Sequence, residues 1–251
     1  MEVFFDLSLL GPPVIRDRTG RELTWRLHRA LQIVAYLAIR PEKRASRSEL
    51  VEALWHDSPR TTIRNNFNPT LSDARRSLTV TNTVPMKSAA EVIPLLHGTY
   101  ALSPTIRWQT DLERFRELID QGRAARSPEG ALQCWQEAWR LYRGPFLDGL
   151  EAPWIHAQRE ALTEEYFDVL VRLGALAADL DEEVQALDAY RSALLVEPYD
   201  ERVHRALMAL YARRGRRDLV RRQFLRLEES LEELGVEPAA ETRESFQRWM
   251  R

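Results

Sequence analysis

The side chains best suited to chemistry lie on a predicted helix from about Thr61 to Leu78. Its apolar residues recur at helical spacing and form one stripe, made of Ile63, Phe67, Leu71, Ala74 and Leu78. The opposite face is polar and carries Thr61, Thr62, Arg64, Asn65, Asn68, Asp73, Arg75 and Arg76. A helix with this division buries one face and presents the other to a partner.

The chemistry of that polar face matches DNA. Arginine and asparagine offer paired donors, or a donor and an acceptor, at the spacing of base edges in the major groove. We therefore predict base contacts from Arg64, Asn65 and Asn68. Threonine and arginine also bind phosphate oxygens. The predicted phosphate contacts are Thr61, Thr62, Arg75 and Arg76.

A second predicted helix precedes this one and positions it. It starts at Ser46 or Arg47 and ends at Trp55, and Ser46 with Glu49 forms the sequence pattern of a capping box. A short polar turn, residues 56–59, joins the two helices into a helix-turn-helix pattern, in which the second helix reads DNA. Three basic residues near the start of the first helix would touch phosphate or belong to a solvated loop: Lys43, Arg44 and Arg47.

Pro69 interrupts the pattern of the predicted reading helix. Proline has no amide to bond the carbonyl of Asn65 and clashes with it, which costs about 3 kcal/mol or kinks a helix. The helix is therefore either bent at Asn65–Pro69 or begins later than Thr61. Such a distortion would lead either to degenerate DNA specificity or to a loss of DNA binding. Two amphipathic helices with polar outer faces also occur in proteins that bind no DNA.

The surrounding residues predict a small α+β domain. Residues 3–25 indicate a small antiparallel sheet of short strands, and a helix follows from about Leu27 to Ile39. After Leu78 the pattern turns β-like over 79–84, and His97-Gly98 between apolar runs predicts a tight hairpin. The order is sheet, three helices, hairpin.

Charge divides the chain of 251 residues, whose formal net charge is −2. Residues 1–108 hold 15 basic and 10 acidic residues, and residues 109–251 hold 21 basic and 28 acidic ones. A basic domain followed by an acidic one fits a DNA reader joined to a module that contacts proteins. We predict domains at 1–108 and 109–251.

Composition excludes several classes of protein. The single cysteine, Cys134, allows no disulfide within the chain and is expected to be a small buried side chain. The first residues lack the basic start of a secretory signal, and no apolar run is long enough to span a membrane. A reducing cytoplasm is the expected location, without membrane association.

From Thr110 onward the pattern predicts successive helices. A frame of about 34 residues starting at Phe167 matches the tetratricopeptide repeat at its small and aromatic positions. The matching residues are Leu173, Gly174, Ala186, Tyr190, Ala193 and Pro198. A similar frame starts at Glu201, and the alternative is a helical bundle without repeats. Small residues in such repeats let paired helices approach closely.

Three stretches, LLGPPVIRDRTGRELTW, RALQIVAYLAIRPEKRASRSELVEALW and LLHGTYAL, resemble the winged-helix domain of the SARP family of transcriptional activators, itself similar to that of OmpR-type response regulators. Two later ones, YRGPFLDGLEAPWIHAQREAL and LEESLEELGVEPAAET, resemble the bacterial transcriptional activator domain, BTAD, that follows it in that family. The resemblance implies that the third helix enters the major groove and that residues 97–100, with His97 and Thr99, form the wing tip. It also implies contacts with RNA polymerase and two copies on direct repeats, hence a homodimer.

Enzyme chemistry is not expected. No glycine-rich phosphate loop is present, and the five histidines lie far apart without the spacing of metal ligands. No acid, base and nucleophile form a recognisable set, so no cofactor or metal is expected.

The sequence thus predicts a mainly α protein, a winged helix-turn-helix followed by tetratricopeptide-like helices. It would be a regulator of transcription, expected to activate, that binds double-stranded DNA. The alternative is a protein-interaction scaffold whose winged helix has lost DNA reading. The modest basic charge of residues 1–108 and Pro69 favour that alternative.

Overall fold

Two units make up the chain in the computed structural model, which describes residues 4–79 and 88–251. The first unit comprises Met1–Phe115 and Leu141–Glu160, and the second comprises Arg116–Arg140 and Ala161–Arg251. Helices predominate in the described residues, as the sequence predicted.

A three-stranded sheet opens the first unit. Strand β1 (Phe4–Ser8) pairs antiparallel with β2 (Val14–Asp17) and parallel with β6 (Arg107–Thr110). The predicted wholly antiparallel sheet within residues 3–25 was therefore wrong. Residues 21–25 contribute only an isolated bridge between Arg16 and Glu22, and the third strand comes from beyond the helices. Trp108 of β6 stacks on Phe5 of β1, with ring centroids 4.9 Å apart, which holds this long-range pairing.

The three predicted helices are confirmed as α1 (His28–Ile39), α2 (Arg47–Trp55) and α3 (Arg60–Thr79). The capping box at the start of α2 is also confirmed. The amide of Glu49 donates to Ser46 Oγ at 3.2 Å, and the amide of Ser46 donates to the Glu49 carboxylate at 2.8 Å.

Helix α3 begins at Arg60 and contains Pro69. A start later than Thr61 was therefore wrong. In the turn that contains the proline, Thr70 Oγ1 donates a hydrogen bond to the carbonyl of Asn66 at 2.7 Å. Thr79 belongs to the last turn of α3, so the expected strand over 79–84 does not begin there, and its other residues lie outside the described range.

The predicted hairpin is confirmed and forms a second sheet. Strands β4 (Leu95–Leu96) and β5 (Thr99–Ala101) are joined by His97 and Gly98, whose φ angles of 49° and 82° fit a tight turn with two left-handed residues. Strand β3 (Arg44–Ser46) pairs with β5, so the order is β3-β5-β4. Arg44 thus lies in a strand rather than in the expected basic loop.

Residues 141–160 belong to the first unit, and one side chain holds their turn together. Arg159 donates to the carbonyls of Phe146, Leu147 and Leu150 at 2.7, 2.8 and 2.6 Å. Phe146, fully buried, also bridges to Leu10. One guanidinium therefore organises a turn that has little regular structure of its own.

Seven helices follow β6 in the described residues: α4 (Asp111–Ala124), α5 (Pro128–Leu141), α6 (Pro153–Asp179), α7 (Glu183–Val196), α8 (Glu201–Arg213), α9 (Arg217–Glu232) and α10 (Ala240–Met250). The pairing of small and aromatic residues expected of tetratricopeptide-like repeats is present. A Cβ at Gly174 would lie 2.7 Å from the Tyr190 ring, and one at Gly122 would lie 2.8 Å from the Trp135 ring. Cys134 is half-buried, so the expectation of a buried thiol was wrong.

His204 is buried in the second unit as a neutral ring. The Pro198 carbonyl can only accept, so His204 Nε2 donates to it at 3.0 Å, and Nδ1 then accepts from Gln223 Nε2 at 2.8 Å. Burial lowers the pKa of His204 from its ordinary value of 6.5.

Gly174→Ala should destabilise the chain by about 1–3 kcal/mol, because the added methyl overlaps the Tyr190 ring. An unhindered glycine-to-alanine change inside a helix stabilises by about 0.5–1 kcal/mol, so the sign of the effect is diagnostic. Urea unfolding measures it. Adding Tyr190→Leu should recover part of the loss, and a stabilised Gly174→Ala variant would contradict the close packing.

Stability should fall as pH drops below about 6.5, where the unfolded chain takes up a proton that folded His204 resists. The contribution of this residue is complete above that pH. Urea unfolding from pH 7.5 to 5 measures the slope, which His204→Gln should reduce. An unaltered slope in His204→Gln would disprove the assignment.

Candidate nucleic-acid interface

The outward face of α3 is basic and contains no exposed acid. The helix carries four arginines and one acidic residue, Asp73, which is buried. Six of the polar residues on this helix are exposed and share one side of it: Thr61, Arg64, Asn65, Asn68, Ser72 and Arg76. Thr62 is half-buried at the edge of that side. The face can therefore approach a negatively charged partner without like-charge repulsion from its own helix.

Asp73 points inward, so its predicted place on the outer face was wrong. Its Oδ2 accepts the amide of Leu27 at 3.0 Å, at the start of α1. Leu27 precedes α1 and has no side chain that can cap it. Asp73 takes that role from another helix, which links the start of α1 to the second half of α3.

Arg75 also points inward, although its sequence position suggested a phosphate contact. Its Nε and Nη2 donate to the carbonyl of Ile93 at 3.0 and 2.5 Å. Burial lowers the pKa of this arginine from its ordinary value, yet arginine remains charged at neutral pH. The guanidinium thus fastens α3 to the segment that leads into the hairpin.

Phe67 joins the three elements of the predicted reader. It is fully buried, and its ring lies 5.8 Å from Trp55 of α2 and 5.6 Å from Tyr100 of β5, between centroids. The guanidinium of Arg47 lies 4.7 Å from the centre of the same ring. The orientation of α3 is therefore set by one aromatic side chain that contacts both of its neighbours.

The three predicted base-contacting residues have unused polar groups. Within the described residues, the side chains of Arg64, Asn65 and Asn68 make no hydrogen bond or ion pair. Their donors and acceptors are available to a ligand without breaking an internal bond. The side chain of Arg60, the exposed first residue of α3, likewise makes no hydrogen bond or ion pair within the described residues. The sequence did not predict this residue as a contact, because the helix was predicted to start at about Thr61.

The predicted contacts outside α3 are partly occupied. Lys43 donates to the Ala38 carbonyl at 3.3 Å and forms an ion pair with Glu113. Arg44 forms an exposed pair with Glu42 at 2.5 Å. Such an exposed pair contributes only about 0–1 kcal/mol, so Arg44 can exchange it for a phosphate at small cost, whereas Lys43 is held on two sides.

At the wing tip, His97 is exposed in the turn. Thr99 Oγ1 donates to the Leu96 carbonyl at 2.8 Å and so stabilises the hairpin. Both leucines of β4 expose apolar surface, Leu95 more than Leu96. The tip therefore offers one imidazole and a short apolar edge to a partner.

Among residues 4–79 and 88–251, no group of three or more His, Cys, Asp or Glu side chains is placed to hold a metal ion. None of the helices described combines the length and apolar character that a bilayer span requires.

The family model named bacterial transcriptional activator domain matches residues 110–248, more than half of the chain. Among curated relatives, the transcriptional regulatory protein MoaR1 of Mycobacterium tuberculosis is 26% identical over 250 residues, which cover 97% of this chain and 78% of MoaR1. The transcriptional regulator RedD of Streptomyces coelicolor is 27% identical over 239 residues, covering 94% and 67%. The regulatory protein AfsR of the same species is 26% identical over 247 residues, 96% of this chain but 24% of AfsR.

Among solved structures, Mycobacterium tuberculosis EmbR in complex with a low affinity phosphopeptide superposes with a TM-score of 0.78 at 22% identity. The match covers 100% of this chain and 66% of the EmbR chain, so this chain spans just under two thirds of that protein. The fold is thus that of a winged-helix unit with a tetratricopeptide-like helical domain. The chain belongs to the SARP family of transcriptional regulators.

Arg75→Ala should destabilise the chain by about 1–3 kcal/mol, because it leaves the carbonyl of buried Ile93 without its donor. The exposed neighbour provides a matched control, since Arg76→Ala should change stability by no more than about 0.5 kcal/mol. Both values come from urea unfolding. Equal effects of the two substitutions would contradict the inward placement of Arg75.

Proposed function

We propose that this chain binds promoter DNA through the outward face of α3 and the hairpin, and that it activates transcription. Residues 1–108 would read DNA, and residues 109–251 would contact RNA polymerase or a second protomer. Membership of the family supports the regulatory role, but it does not identify the residues that bind DNA. The observation that carries the proposal is the exposed, acid-free side of α3, whose arginines and asparagines have no partner within the described residues.

The side chains on that face divide by their reach and chemistry. Arg64, Asn65 and Asn68 lie within two turns and would contact base edges, arginine preferring guanine and asparagine preferring adenine. Thr61 and Thr62 lie in the first turn of α3, where free backbone amides also favour an anion, and would bind phosphate.

Phosphate contacts from the rest of the unit flank that face. Arg60 and Arg76 lie near the two ends of α3 and are both exposed. Arg44 at β3 and Arg47 at the start of α2 supply positive charge beside the hairpin, and His97 with Thr99 forms the tip that would follow the minor groove or backbone. Arg75 and Lys43 are left out, because both are held by internal partners.

A protein-interaction scaffold is the second candidate, favoured by a large groove in the second unit. The two functions are separable, because a scaffold would capture a protein partner and retain no DNA at low salt. A DNA reader would retain promoter fragments whether or not a partner is present.

Purified protein should select a defined set of fragments from genomic DNA, and fluorescence anisotropy on a selected fragment then measures affinity. Affinity should fall steeply with salt, because each phosphate contact releases counterions. The double change Arg64→Ala with Asn65→Ala should weaken binding by about 30-fold or more, since each base contact contributes about 1–3 kcal/mol.

Asn66→Ala is the matched control for that experiment. Asn66 is exposed like Asn65, but one residue along a helix turns the side chain by about 100°, away from the proposed face. It should change affinity by less than about twofold, within the range of neutral surface changes. Full affinity of the double variant, or an equal loss in Asn66→Ala, would disprove the assignment of the reading face.

A further inference from the structure

The second unit contains a groove of about 940 Å³ that the proposed DNA contacts do not use. It is lined by one side of α4 and α6 and by the segment that leads from α7 into α8. Stacked helical pairs form concave surfaces of this kind, and the volume is enough for several side chains of a bound peptide. Phe167 and Tyr199 are half-buried in its wall and expose ring surface to it.

Three arginines of the groove are paired with acids of the groove. Arg116 binds Glu165 through two bonds of 3.1 and 2.9 Å, and Arg202 binds Asp200 with a shortest bond of 2.7 Å. Arg123 lies 3.8 Å from Asp120. Each of these exposed guanidinium groups is balanced by its partner acid, so the three pairs add no net positive charge to the wall.

Among the described residues that line the groove, the acids outside these three pairs outnumber the arginines outside them. Three lining carboxylates are exposed and make no hydrogen bond or ion pair in the described part of the chain: Glu164, Asp168 and Glu197. The charge of Asp168 also raises the pKa of Arg202, but by less than the bonds and charge of Asp200 do. Against these three stands Arg172, whose guanidinium lies 5.9 Å from the centre of the Trp135 ring. The groove thus carries excess negative charge, which favours a cationic ligand over a nucleic acid.

We propose that this groove binds an extended, positively charged segment of a partner protein, with arginine or lysine at alternate positions. Glu164 and Asp168 are four residues apart on α6, about 6 Å along the helix axis. Alternate residues of an extended chain are about 6.6 Å apart, so two neighbouring cationic side chains can reach the two carboxylates. Glu197 would receive a third.

The aromatic residues complete the recognition of that segment. The faces of Phe167 and Tyr199 suit a guanidinium or the aliphatic stem of a basic side chain, which packs while its charge reaches a carboxylate. A basic segment with apolar residues between its charges therefore matches the groove better than a purely charged one. The proposal does not depend on whether the first unit binds DNA.

A fluorescent nine-residue peptide with three arginines alternating with leucines tests the groove, using the full chain and fluorescence anisotropy. The triple change Glu164→Gln, Asp168→Asn and Glu197→Gln should weaken binding by about tenfold, since each exposed pair adds a modest increment. A matched triple change on α9, Glu228→Gln, Glu229→Gln and Glu232→Gln, alters net charge equally and should leave affinity within about twofold.

Several results would overturn the proposal. They are no binding of the arginine peptide at millimolar concentration, equal binding of a peptide with glutamate in place of arginine, or equal weakening by both triple variants. Displacement of the peptide by an oligonucleotide in a variant that lacks Arg64 and Asn65 would also overturn it. The affinity of the groove variant for selected DNA, measured in parallel, should be unchanged, which separates a failure here from a failure of DNA binding.

Discussion

The burial of Phe67 is the interaction on which the proposed interface depends. Because its ring meets Trp55 and Tyr100, the helix-turn-helix and the hairpin share one packing centre. Asp73 and Arg75 then fix the second half of α3 through polar bonds to other segments. Within the described residues, the side chains on the opposite side of the same helix have no internal partner. Support and the proposed recognition are therefore separated by side-chain direction along one helix.

Local patterns in the sequence predicted most of the elements. Helical spacing, the Ser46 capping box and the His97-Gly98 turn depend on residues close in the chain, so each was readable directly. The pairing of Gly174 with Tyr190 was also predictable, because repeated small and aromatic positions reflect a packing rule rather than a particular neighbour.

Features set by distant residues were not predictable in the same way. The parallel pairing of β1 with β6 joins segments about a hundred residues apart, and no local signal distinguishes it from a third antiparallel strand. Asp73 and Arg75 have polar side chains like their exposed neighbours, and only the positions of Leu27 and Ile93 turn them inward. For the same reason, the sequence indicated which helix would carry the proposed site, but it did not indicate which polar residues of that helix point outward.

The two halves of the chain present opposite chemistry to partners. The basic side of α3 suits phosphate and base edges, and the groove of the second unit carries carboxylates with no partner in the part of the chain that the structure describes. The most direct test of the proposed interface is photo-crosslinking with benzoylphenylalanine placed at Asn68 or at Asn66, on a DNA fragment selected by the protein. We predict crosslinks to bases from position 68 and few from position 66. Crosslinks from position 66 alone, or none from 68 on a bound fragment, would contradict the proposed interface.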